Sequence, residues 1–114
     1  MTDCIFCRII AGEAPAEIVY TDEQATAFRD VRPVALTHIL IVPNKHIASV
    51  NDLTSDDEAL VGHLFGLARE IAQQEGVDQT GYRLIVNTGQ HAGQVVFHLH
   101  LHLIGGQRMR FPMG

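Results

Sequence analysis

The sequence predicts an α+β domain of five strands with one short and one long helix, and three observations predict it. Five apolar or alternating runs of strand length are separated by turn-forming residues. One segment, Leu60, Leu64, Leu67 and Ile71, repeats at helical spacing. No linker, repeat or low-complexity tract interrupts the 114 residues, so they form a single domain, 1–114.

The elements follow in order. A short helix is expected from Cys4 to Gly12, then strands Glu17 to Thr21 and Ala25 to Arg29, paired as a hairpin across Asp22-Glu23. The run His38 to Pro43 is nearly all apolar, the pattern of a central strand. Ser55 with Glu58 three residues later reads as a capping box that starts the long helix, and Gly76 as its C-terminal cap. Strands Tyr82 to Asn87 and Val95 to Leu103 complete the sheet. His63, on the long helix, is an ordinary surface or packing residue.

The last strand carries the chemistry. In Phe97-His98-Leu99-His100-Leu101-His102-Leu103, three histidines alternate with apolar residues, so the imidazoles share one face while Phe97, Leu99, Leu101 and Leu103 anchor the other. At about 3.3 Å rise per residue His98 and His102 stand roughly 13 Å apart. Metal–nitrogen bonds of about 2 Å do not let one ion reach all three. The spacing favours divided roles: one imidazole as nucleophile or base, a second as acid or orienting partner. Upstream, Asn87-Thr88-Gly89-Gln90-His91-Ala92-Gly93-Gln94 is rich in glycine and amides and suits an anion, although a plain turn has the same composition.

These residues resemble the histidine triad (HIT) superfamily of nucleotide hydrolases and transferases. His98 to Ile104 matches its His-x-His-x-His signature followed by two apolar residues. Cys4-Ile5-Phe6-Cys7-Arg8-Ile9-Ile10, Ala27-Phe28-Arg29-Asp30, Thr37 to Pro43 and Gly105 to Pro112 look like its Hint branch, so the likeness covers almost the whole chain. The resemblance implies a mainly antiparallel five-stranded sheet that pairs with a second copy into one continuous sheet, with Arg108, Arg110 and Phe111 reaching the partner's site. It implies His100 as the nucleophile on the α-phosphorus of a nucleotide, His98 and His102 beside the phosphate, His38 as a supporting histidine and Asp30 on the ribose hydroxyls. Asn87, Gly93 and Gln94 are candidate substrate contacts. Ile5, Phe6, Ile9, Phe28, Val31 and Leu40 are candidates for the base pocket, each equally suited to the core. One position departs: where eukaryotic Hint proteins commonly carry serine after the Gly-Gln pair, this chain has Val95, and the hydroxyl near the leaving group is absent.

Two cysteines at Cys4-x-x-Cys7 favour metal binding or redox work over a structural disulfide in a cytosolic protein, and inert thiols remain an alternative. The resemblance implies structural zinc completed by His46 and His98. Three functions stand open: hydrolysis of purine nucleoside 5'-phosphoramidates with release of AMP, hydrolysis of dinucleotide polyphosphates, or a non-catalytic nucleotide-binding module. A net charge of −5 with a single lysine argues against a nucleic-acid partner. No run approaches the ~20 apolar residues of a membrane span. Met1-Thr2-Asp3-Cys4 does not open a signal peptide, so a cytoplasmic protein is expected.

Overall fold

The computed structural model describes residues 3–110. Helix α1 (Ile5–Ile10) is followed by β1 (Ile18–Thr21), β2 (Ala25–Arg29), β3 (Thr37–Pro43), α2 (Glu58–Glu75), β4 (Tyr82–Ile85) and β5 (Leu101–Gly105). The five strands form one sheet in the order β1-β2-β3-β5-β4, and every neighbouring pair is antiparallel.

Strand alternation assigns the two faces. From β2, β3 and β5, Ala25, Ala27, Ile39, Ile41, Leu101 and Leu103 turn to one side and pack on Leu64, Leu67, Ala68 and Ile71 of α2. Full burial of each large aliphatic side chain there contributes about 1.5–3 kcal/mol. Phe28, Leu40 and Val42 turn to the other side and meet Phe6 and Ile9 of α1. The register sets Leu40 opposite His102 and His38 opposite Ile104, so His38 and His102 are diagonal neighbours on the α1 face.

Expected boundaries move at the start of α2, the end of β4 and the start of β5, and by a residue or two elsewhere. The capping box lies one residue earlier than Ser55–Glu58: the Asp57 carboxylate accepts from the Thr54 N–H at 3.0 Å, and a 3-10 turn, Ser55–Asp57, precedes α2. Strand β4 ends at Ile85 rather than Asn87. The expected strand Val95 to Leu103 pairs only from Leu101 onward, because the matching stretch of β3 ends at Pro43, which has no N–H to offer a ladder. Before Leu101 the chain is held instead by the Leu99 N–H, which donates to the Ile47 carbonyl at 2.7 Å. Phe97, expected in the core, is 52% exposed, whereas Leu99 is buried. His63 has a definite partner, the Asp22 carboxylate at 2.7 Å, which ties α2 to the β1–β2 turn.

Candidate active site

A cavity of about 640 Å³ opens on the α1 face of the sheet, and His38, His100 and His102 line it together with Asp30, Asn87 and Gly93. Phe6, Ile9, Phe28 and Leu40 form its buried inner end, while Val31, 87% exposed, stands on its rim. Pro15, Ala16, Val34 and Val96 also line it, and their plain apolar character gave no signal in the sequence.

Main-chain partners decide where each imidazole carries its proton, since a carbonyl only accepts and an amide N–H only donates. His100 Nδ1–H donates to the His98 carbonyl at 2.7 Å, which leaves Nε2 of the neutral ring with a lone pair. Phe6 packs edge-on against the same ring, with centroids 5.1 Å apart. The Val34 N–H donates to His38 Nδ1 at 3.2 Å, so His38 carries its proton on Nε2 and donates it to His102 Nδ1 at 2.9 Å. His102 must then hold its own proton on Nε2, and that atom is buried with no hydrogen-bond partner among the described residues. The site therefore presents one nitrogen that can attack and one N–H that can bind an anion.

Asp30 accepts the Arg32 N–H at 2.8 Å through one oxygen and lies 3.5 Å from His38 Nε2 through the other. Asp30, His38 and His102 have the composition of a metal site. Their geometry speaks against it, because two imidazole nitrogens on one tetrahedral ion stand about 3.3 Å apart and this pair is separated by a hydrogen-bond distance of 2.9 Å.

Burial, reinforced by the neighbouring His100 and His38 rings, pushes His102 down to about 4, and burial likewise lowers His38. Both rings are neutral near pH 7. The unfolded chain protonates them below about pH 6.5 while the folded chain resists until lower pH, so stability is lost as pH falls through that window. For His102 the loss is on the order of 3 kcal/mol. Thermal unfolding should show a smaller drop between pH 7 and 4.5 in His102→Gln than in the wild type; equal drops would remove His102 from the account.

Two expected phosphate contacts are placed elsewhere. Gln94 is buried, with Oε1 accepting from the Gly89 N–H at 2.9 Å and Nε2 donating to the Ala48 and Val96 carbonyls at 2.8 and 3.2 Å. It braces the loop and has no donor left for a ligand. The loop itself needs positive φ at Gly89 and Gly93, +87° and +89°, which glycine adopts freely. His98 does not line the cavity: its Nε2–H donates to the Pro43 carbonyl at 2.8 Å and its Nδ1 faces the two thiols. Its link to the cavity is its carbonyl, which orients His100. Phe111 lies outside the described residues.

The second cluster fits a metal. Cys4 Sγ, Cys7 Sγ, His46 Nδ1 and His98 Nδ1 all lie within 4.8 Å of one another. The sulfur–nitrogen separations of 3.3 Å (Cys4–His98), 3.3 Å (Cys7–His46) and 3.5 Å (Cys7–His98) approach the roughly 3.5 Å expected of ligands sharing a tetrahedral zinc. The Pro43 carbonyl adds the outer hydrogen bond that fixes a ligating histidine's tautomer.

The model of the HIT domain matches residues 11–109. The chain belongs to the HIT family. Purine nucleoside phosphoramidase of Escherichia coli is 50% identical over 112 residues, 98% of this chain and 91% of that protein. A HIT family hydrolase from Legionella pneumophila superposes with a TM-score of 0.95 at 48% identity, covering 98% of this HIT protein and all of the other. A zinc-bound histidine triad family protein from Mycobacterium smegmatis gives 0.80 at 31% identity, covering 92% and 76%. Among the described residues, no helix is long and apolar enough to cross a membrane.

Proposed function

We propose that this HIT protein hydrolyses purine nucleoside 5'-phosphoramidates, such as adenosine 5'-monophosphoramidate, through a nucleotidyl-histidine intermediate. The observation that carries it is the fixed tautomer pair, His100 with a lone pair on Nε2 and His102 with an N–H on Nε2, lining one cavity with an apolar inner end. The half-identical phosphoramidase of Escherichia coli supports the substrate class.

The base enters among Phe6, Ile9, Phe28 and Leu40, and Asp30 accepts from the ribose hydroxyls. His100 Nε2 attacks phosphorus, the P–N bond of the substrate breaks, and the positive charge on the ring is eased by the His98 carbonyl at Nδ1. His102 Nε2–H, with Asn87 and the loop at Gly93, binds the phosphoryl oxygens. A neutral imidazole does not give up its only proton, so His102 acts as a hydrogen-bond donor. With no hydroxyl at Val95, the departing nitrogen takes its proton from water at the mouth. A second water then attacks phosphorus and gives its proton to the hydroxide left by the first, the P–N bond to His100 breaks, and AMP leaves with His100 restored.

Incubation with adenosine 5'-monophosphoramidate should release AMP and ammonia in equal amounts. Binding of AMP without release of either would favour the nucleotide-binding module, and faster cleavage of diadenosine polyphosphates would favour the dinucleotide reading.

Cys4, Cys7, His46 and His98 hold zinc in this proposal, and the metal's chemistry is a structural cross-link. A cytoplasmic homodimer completes it, because β4 is an edge strand open to a second copy and Arg108 and Arg110 lie exposed beyond β5. Sedimentation should give twice the mass of one chain; a monomer at micromolar concentration would end that part.

A further inference from the structure

The two thiols sit next to each other and within reach of solvent. Cys4 and Cys7 are each partly exposed, and Cys4 lines a crevice of about 350 Å³ with Asp3, Ile5 and Phe97, ample room for a small oxidant. As the N-cap of α1, Cys4 holds its Sγ over the first turn, where it accepts the Cys7 N–H at 3.4 Å. Both sulfurs also approach a single imidazole nitrogen, His98 Nδ1, at 3.3 and 3.5 Å. They lie within 4.8 Å of each other, so side-chain rotation brings them to the roughly 2.05 Å of a disulfide. Both belong to α1 or its cap, and closure moves no strand.

We propose that Cys4 and Cys7 form a redox switch, in which a hydroperoxide converts them to a reversible disulfide that dissolves the metal site and loosens α1 from the nucleotide cavity. This rests on the zinc assignment proposed above and adds its regulation. The Cys4 thiolate, reached through the crevice, attacks the terminal oxygen of the peroxide; the O–O bond breaks and Cys4 becomes a sulfenic acid. The Cys7 thiolate then attacks the Cys4 sulfur, the S–O bond breaks and the S–S bond forms. Two electrons pass from the sulfurs to the peroxide, and the departing alkoxide and hydroxide each take a proton from solvent. Only His46 and His98 then keep a lone pair for a metal, too few for a tetrahedral site. The disulfide ties α1 to itself, whereas metal ligation ties it to histidines beside β3 and β5. Phe6 and Ile9 of α1 close the inner end of the cavity, so the oxidised chain binds nucleotide more weakly. A dithiol reductant reverses the step, as suits a transient cytosolic disulfide.

The test treats protein expressed with zinc with about one equivalent of hydrogen peroxide per chain. A chromogenic chelator reads metal release, the mass of the denatured chain reads the sulfur chemistry, and calorimetry reads AMP affinity. The mass should fall by about 2 Da, two hydrogens, in step with metal release. The Kd for AMP should rise about threefold or more, the loss expected once α1 is docked in a third of the molecules or fewer. Dithiothreitol with added zinc should restore all three readings. Cys4→Ser and Cys7→Ser should each abolish the mass loss. Gain of oxygen without that loss, metal retained by the disulfide form, or unchanged AMP affinity after the disulfide has formed overturns the switch. Protein that carries no zinc before treatment refutes the zinc assignment separately. The same titration then still decides the switch: a disulfide that weakens AMP binding supports it, and the absence of either change overturns it.

Discussion

His100→Asn folds, binds AMP within a few-fold of the wild type and loses turnover by about a thousandfold or more, the scale seen when a covalent nucleophile is removed. The separation of binding from chemistry follows from the architecture. In the proposed reading the nucleoside is held by Asp30, Phe28 and Leu40, on or just after β2 and β3, and of the pocket's phenyl rings His100 touches Phe6. What the substitution removes is a cavity nitrogen whose lone pair the main chain keeps available, through the 2.7 Å bond from Nδ1 to the His98 carbonyl. His102→Ala costs less, about a hundredfold, because it deletes one hydrogen-bond donor to the phosphoryl oxygens and leaves the attacking atom in place. Rapid quench with labelled phosphoramidate, kept mildly alkaline to spare an acid-labile P–N adduct, should trap the nucleotide on His100. Undiminished turnover by His100→Asn would refute the mechanism outright.

The features of this site differ in how far one chain of letters can show them. Period-two alternation gave the strands, and β2 falls on Ala25 to Arg29 as expected, since hydrophobic patterning is a local property. The same alternation overran at the triad, because a strand also needs a partner, and Pro43 on the neighbouring strand withdraws it. Gln94 shows the limit for side chains: a glycine-flanked amide reads as an anion donor, yet its three hydrogen bonds go to carbonyls and an N–H at positions 48, 89 and 96. Whether a polar group is spent on its own chain or left for a ligand depends on contacts 46 residues away in sequence. The tautomers were equally hidden, since they depend on Val34, His98 and Pro43 supplying main-chain groups at the right places. The division of the histidines was partly legible, because a 13 Å span denies one ion all three; the grouping of His98 with the thiols was expected through the family resemblance alone, and the fold brings those groups together.

Protein expressed with zinc should carry about one metal per chain, and a strong chelator should lower its unfolding temperature by about 10 °C, the shift that about 2 kcal/mol produces in a domain near this size. The reason is where the ligands sit. Cys4 is the N-cap of α1, Cys7 lies inside it, His46 follows β3 and His98 precedes β5, so one ion joins segments up to 94 residues apart in sequence. Helix α1 has six residues, too few to persist on its own hydrogen bonds. Its Phe6 packs on His98 at 5.9 Å and on His100 at 5.1 Å and closes the inner end of the cavity, as does Ile9. Without the cross-link α1 loosens from the sheet while His100 keeps its main-chain partner. KM for the nucleotide should therefore rise more than kcat falls, and Cys7→Ser should reproduce the effect of the chelator. Metal-free protein from zinc-supplemented cells, with the same unfolding temperature for Cys7→Ser as for the wild type, would reduce the cluster to two half-buried thiols beside two imidazoles.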